Sequence, residues 1–169
     1  MEINGPIINN YPILDFWFPD DEYHVWWFKS NEKLDNQIHN QYYQLITNTF
    51  DNFDLEKYNG YSIQKLIQDI IILDQFSRNI NRILNNINIS EFTNKAIQLS
   101  NLWIHNKYYL SQPIKWTVFA FLPIRHSKDS QLIKKLIDIL DEMELKDPSI
   151  SSDKIYQKFK LHTIRQLKL

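Results

Sequence analysis

The chain contains no cysteine, only two glycines and no run of apolar residues long enough to span a bilayer. Each shortage excludes something. Without cysteine there are no disulfides, thiolate nucleophiles or thiolate metal sites, which fits a reducing compartment. Two glycines cannot supply a phosphate-cradling loop or a glycine-flanked nucleophilic serine. Hairpin-rich β folds also consume glycine, so its scarcity favours helices joined by short polar loops. No window approaches the ~18 uninterrupted apolar residues of a membrane span. Met1 to Asn10 lack the basic start and apolar run of a signal peptide. Charge of one sign is missing too: the formal net charge is −1, without the basic excess of a nucleic-acid module. The expectation is a soluble, intracellular, cytoplasmic protein that engages neither nucleic acid nor membrane.

What is present is apolar and patterned. The 169 residues are 43% hydrophobic and 14% aromatic, enough for one domain with one substantial core. We take 1–169 as a single helical domain. Pro12 suits the first position of a short apolar segment reaching Phe18, and Pro19-Asp20-Asp21 makes a turn. Ser30 or Asn31 can cap a helix to about Phe50, with Leu34, Ile38, Tyr42, Leu45 and Thr49 on one stripe. Ser62 can cap the next, which becomes apolar all round by Ile70-Ile71-Ile72-Leu73, the mark of a buried central helix. Ser90 is placed to cap a helix with Phe92, Ala96, Leu99 and Trp103 in line. Pro113 opens another that Pro123 interrupts. Ser127 is placed to cap Asp129 to Glu144, Pro148 stops the chain, and Ser151 or Ser152 starts a last basic helix to about Leu167. The class is all-α, a single-domain array of about seven helices. Ile70-Ile71-Ile72 and Ile87-Asn88-Ile89 are the segments that a mixed fold would turn into strands.

Two segments carry polar residues that a plain core does not need. In Leu73-Asp74-Gln75-Phe76-Ser77-Arg78-Asn79-Ile80-Asn81-Arg82, helical spacing puts Asp74, Arg78 and Arg82 on one face. A carboxylate emerging from so apolar a helix must be paired, because an isolated buried charge costs several kcal/mol. One reading is an internal Asp74–Arg78 pair that ties the helix down. The other has Arg78, Asn79 and Arg82 lining an anion-binding cleft, where the arginine fork suits a carboxylate or phosphate. In Phe121-Leu122-Pro123-Ile124-Arg125-His126-Ser127-Lys128-Asp129, His126 and Ser127 fall where a helix is expected to begin. They are read either as a cap or as an anion site with a titratable histidine.

Other candidates are weaker. The five histidines form no close pair at helical spacing, so no metal site is expected; no cofactor motif is present and no cofactor is expected. Trp26, Trp27, Trp103 and Trp116 read as core, with ring-stacking as the alternative. Lys154, Lys158, Lys160, Arg165 and Lys168 read as a solvated face, with an acidic partner as the alternative.

The Ile13-Leu14-Asp15-Phe16-Trp17-Phe18 opening, the Trp27-Phe28 pair, the Asp74-Gln75-Phe76-Ser77-Arg78-Asn79 block and Leu122-Pro123-Ile124-Arg125-His126-Ser127 together resemble domain of unknown function family 924. Ser77 stands where that family has proline. The likeness covers about 13–129 and extends more weakly to 166. It implies an all-α, tetratricopeptide-like superhelix and no established reaction. It also marks Asp74, Arg78, Asn79, His126 and Ser127 as candidates for a shared polar, ligand-binding site. Lys128 replaces the family's glutamate. Lys158-Phe159-Lys160-Leu161-His162-Thr163-Ile164-Arg165-Gln166 keeps only a remnant of the family's closing motif, whose glycine and proline are gone, so a turn is expected to have become helix. If that motif completes an active site, the activity is expected to be lost. The favoured reading is a binding module for a small anionic ligand or a protein segment, using the face bearing Arg78, Asn79 and His126. An enzyme with His126 as acid/base and Arg78 as anion clamp is the competing class, and a structural or oligomer-forming protein the third. Oligomeric state stays open.

Overall fold

The computed structural model describes residues 10–168. The signal-peptide reading of Met1 to Asn10 therefore lies, but for Asn10, outside the described residues. Among the described residues eight α-helices succeed one another: α1 (Pro12–Trp17), α2 (Glu32–Asp51), α3 (Ile63–Ile71), α4 (Ser77–Leu84), α5 (Ile89–His105), α6 (Ile114–His126), α7 (Ser130–Lys146) and α8 (Lys154–Leu167). No strand occurs among the described residues. Ile70, Ile71 and Ile72 lie in helical backbone, which settles the mixed-fold alternative there. None of the described helices is long and apolar enough to cross a membrane.

Side-chain caps set most of the helix starts. Asn31 accepts from the Leu34 amide and Ser62 from the Lys65 amide, as the sequence suggests. Three expected caps move. Asn88, not Ser90, caps α5, and its amide in turn donates to Glu91. Asp129, not Ser127, caps α7, and Asp153, not Ser151 or Ser152, caps α8. Asn and Asp are caps at least as good as Ser, and each sat within three residues of the serine expected to act. Pro123 also does not interrupt α6, which continues to His126. Its ring costs the helix one backbone bond, and packing around Phe121, Leu122 and Ile124, all buried, holds the geometry.

The centre of the molecule is the unbroken helical run from Ile63 to Leu84. Between α3 and α4 the five residues Ile72–Phe76 form a π-type turn, an insertion that locally widens a helix and rotates its later turns relative to the earlier ones. From Leu66 to Ser77 every residue is buried. This run packs against α2, α5 and α6, and α6 in turn packs against α8. A cluster of rings closes one end: Trp17 meets Phe76 and Phe119 edge-on. The Trp27 indole N–H donates to the Trp17 carbonyl at 2.9 Å. With α4, α6 and α8 fixed around this core, their polar flanks face a common hollow.

Candidate functional site

That hollow is an open cleft of about 650 Å³. The α4 side contributes Arg78, Asn79 and Arg82, and α6 contributes Arg125 and His126. Lys158, His162, Arg165 and Gln166 come from α8, and the segment before α2 adds Tyr23, Trp26, Trp27, Phe28 and Lys29. Six formal cations line it, and no carboxylate does so among the described residues. A chain with one net negative charge thus gathers positive charge in one concavity.

Two carboxylates lie behind the wall rather than on it, each fully partnered. Asp74, with no exposed surface, accepts from His126 Nδ1 at 2.8 Å and from the Gln75 amide at 2.7 Å. Arg78 Nε stands 3.5 Å away. Burial alone would push this carboxyl up, but His126, Arg78 and Gln75 together hold it below its ordinary value. An ionised carboxylate only accepts, so Nδ1 carries the proton and Nε2 of His126 is the nitrogen left for other partners. The expected Asp74–Arg78 pair therefore exists, but at longer range, and His126 is the closer partner. Arg78 directs a second nitrogen to Thr93 Oγ1 at 3.0 Å. Asp35, on α2, takes a two-pronged contact from Arg82 at 2.7 and 2.6 Å and a bond from Asn79 at 2.7 Å.

Among the sequence candidates, Arg78, Asn79 and His126 meet in the cleft. Asp74 supports them from behind. Ser127 is not part of the wall: its hydroxyl donates to the Ile124 carbonyl at 2.5 Å and accepts from the Asp129 amide. His126 ends α6 instead of opening the next helix, so it stands at the carbonyl end of a helix and not at the amide end that attracts an anion. Lys128 comes two residues later with φ of 57°, and this left-handed residue turns the chain into α7.

The cleft cations without an ion pair among the described residues include Arg125, which sequence reasoning did not single out as a site residue, and Lys158 and Arg165, which it read as part of a solvated face. Arg125 is partly buried, yet its guanidinium has no carboxylate within ion-pair distance among the described residues and no hydrogen bond of its own. It lies over the Phe159 ring at 5.0 Å. Burial lowers its pKa, opposed by the charge of Asp74. Lys158 and Arg165 on α8 also have no carboxylate partner among the described residues, and Lys158 rests 5.1 Å from the Tyr23 ring centre. His162 registers the result: burial lowers its pKa, and Arg125, Arg165 and Lys158 lower it further. The signal for α8 was its spacing. Lys158, His162 and Arg165 fall at i, i+4 and i+7, one helical face. Asp35 had a signal as well, a carboxylate between Leu34 and Ile38 in an apolar stripe. The reading of the tryptophans as core holds fully for Trp27 and Trp103, whereas Trp26 and Trp116 are only partly buried.

Residues 13–166 match the family described as bacterial protein of unknown function (DUF924). The chain belongs to that family. Among curated proteins and among solved structures nothing matches it. The DUF924 likeness now has a spatial meaning. The Asp74-to-Asn79 block, the stretch ending in His126 and the altered closing segment all converge on the cleft, although they lie far apart in the chain. In that closing segment the backbone is helix, as the loss of glycine and proline implied, and Lys158, Phe159, His162, Arg165 and Gln166 still face the cleft.

Proposed function

We propose that this domain is a binding module for a small, multiply charged anion, held in the cleft between α4, α6 and α8. The observation that carries the reading is Arg125. A cation taken partly out of water without an ion pair costs free energy, and here only the Phe159 ring and the charge of Asp74 beyond ion-pair distance offset it; a bound anion would supply the missing ion pair. Lys158, Arg165 and Lys29 around the same hollow are exposed and add positive potential without a carboxylate partner among the described residues, while Arg78 and Arg82 are already held by carboxylates behind the wall. Arginine can grip a carboxylate or phosphate through two parallel N–H donors, which fits such a ligand.

The test is calorimetric titration with inorganic pyrophosphate at low ionic strength. Saturable binding at one site per chain is expected, weakened about tenfold or more in Arg125→Gln, since a charge-assisted contact contributes roughly 1.5–3 kcal/mol. Absence of saturable binding by the parent protein sinks the proposal, and a peptide-segment ligand then becomes the better reading.

An enzyme is the second reading, favoured by the hydrogen bond between His126 and Asp74. A buried carboxylate that fixes one imidazole nitrogen leaves the other facing the cleft as an acid or base. Turnover lost in His126→Gln with ligand affinity retained would distinguish this reading from pure binding.

A further inference from the structure

Charge accounts for only part of the cleft. The rest of its lining is largely aromatic: Tyr23, Trp26, Trp27 and Phe28 come from a single short segment. Trp17 and Trp27 are sealed in the core at 1% and 5% exposure, whereas Trp26 is only partly buried and flanks the open space. Its ring meets Trp17 and Trp27 edge-on, at 85° and 64°. These contacts, with the His24 ring tilted against the indole at 5.2 Å and 31°, hold it in place, and no neighbouring indole stacks over its face. Phe28 is 41% exposed and stacks on both Phe119 and Tyr23. Large exposed rings in a concave site are costly to leave in water and are the usual platforms for a planar ligand.

Size points the same way. The cleft, at about 650 Å³, lies within the range of roughly 300–1,000 Å³ found for sites that take drug-sized ligands. A bare inorganic anion between Arg125, Lys158 and Arg165 would leave the aromatic side empty. The unpartnered positive charge gathers in this hollow in a chain of net charge −1, which favours a compact ligand over an extended polyanionic strand.

Resting on the anion-binding reading above, we infer that the ligand is a phosphorylated compound with a planar heteroaromatic ring, the nucleoside diphosphate class. Its phosphates lie among Arg125, Lys158 and Arg165, and its ring lies against Trp26. Stacking on an aromatic side chain tolerates different bases because every base presents a π face, so the ring side is selective for planarity more than for base identity. The phosphate side selects for charge.

The experiment compares inorganic pyrophosphate, ADP and adenosine as probes, by calorimetry and by tryptophan fluorescence, on the parent protein and on Trp26→Leu and Trp26→Phe. ADP should bind at least about tenfold more tightly than pyrophosphate, with a change in tryptophan emission. Trp26→Leu should remove that advantage while leaving pyrophosphate affinity unchanged, and Trp26→Phe should restore part of it. Equal affinities for ADP and pyrophosphate, or an equal loss of both in Trp26→Leu with circular dichroism unchanged, would overturn the ring assignment and leave the anion cleft standing. If pyrophosphate does not bind at all, the anion reading itself fails and takes this inference with it.

Discussion

Lys158 and Lys160 are two residues apart on α8 and play opposite parts. Lys160 is gripped by Glu144 at 2.8 Å and Asp141 at 3.1 Å, an arrangement that joins α8 to α7. Lys158 points to the cleft, meets only the Tyr23 ring among the described groups and shares its space with Arg125, His162 and Arg165. One face of the helix uses lysine to hold the fold together. The other accumulates like charge that the fold leaves without a partner. The buried carboxylates sharpen the contrast, since Asp74 and Asp35 are saturated with donors while Arg125 and Lys158 make no ion pair with any described carboxylate. Paired charge ties helices together here, and the cations without an ion pair gather at the proposed anion site.

The largest effect should come from breaking the satisfied side. Asp74→Ala leaves His126 and Arg78 without their buried acceptor and should destabilise the protein by about 3–5 kcal/mol. Asp74→Asn should cost less, because shape and some hydrogen bonding survive. Denaturant midpoints report both. An unchanged midpoint for Asp74→Ala would mean that the carboxylate is not the keystone its contacts imply.

Next comes a pair of exchanges that should move different quantities. Lys160→Ala should lower stability by up to ~1 kcal/mol, the scale of surface ion pairs, and leave pyrophosphate affinity alone. Lys158→Ala should leave the denaturant midpoint unchanged or raised and weaken pyrophosphate binding several-fold. If both substitutions act on the same quantity, the two faces of α8 are not functionally distinct.

Acidity separates the regions again. Asp74 titrates below its ordinary range in the folded state, so its contribution to stability is present above the unfolded carboxyl value of about 3.9 and is lost as pH falls through the lower folded value. His162 is also lowered from 6.5, here partly by like charge. The unfolded chain then binds the proton more readily, and His162 costs stability as pH falls below its unfolded value. An anion in the cleft relieves the repulsion, raises the His162 pKa and takes up a proton, so pyrophosphate should bind more tightly as pH drops through that range. Histidine resonances followed by NMR with and without pyrophosphate would show the upward shift. A His162 titration indifferent to pyrophosphate would place the anion elsewhere.

The smallest effect should be Arg78→Lys. It keeps the charge but cannot hold Asp74 and Thr93 at once in the arginine geometry. A few-fold loss of pyrophosphate affinity with little change in midpoint is expected. A loss as large as that of Arg125→Gln would make Arg78, not Arg125, the principal anion contact.

The helices were legible because their signals are local. Apolar stripes at helical spacing and polar caps act within a few residues, so α2 and α3 begin at the expected caps, and where Asn88, Asp129 and Asp153 displaced nearby serines the error stayed within a few residues. That Asp74 needs a partner was also legible, since burying a charge has the same cost in any fold. The identity of the nearest partner was not. His126 lies fifty-two residues away and reaches Asp74 because α6 packs against α3. Ser127, its neighbour, turns back to its own helix end instead.

The amino-acid sequence by itself therefore determined an all-α chain, its helix order, its family membership and the need to neutralise Asp74, all consequences of periodicity, capping, motif and desolvation. Tertiary structure alone decided which cations stay uncompensated. Arg125 and Lys158 look no different in the chain from Arg82 and Lys160. Whether a cation finds a carboxylate depends on which helix faces it, and that is set by the packing of α2, α4, α6, α7 and α8 around the core, not by any spacing along the chain.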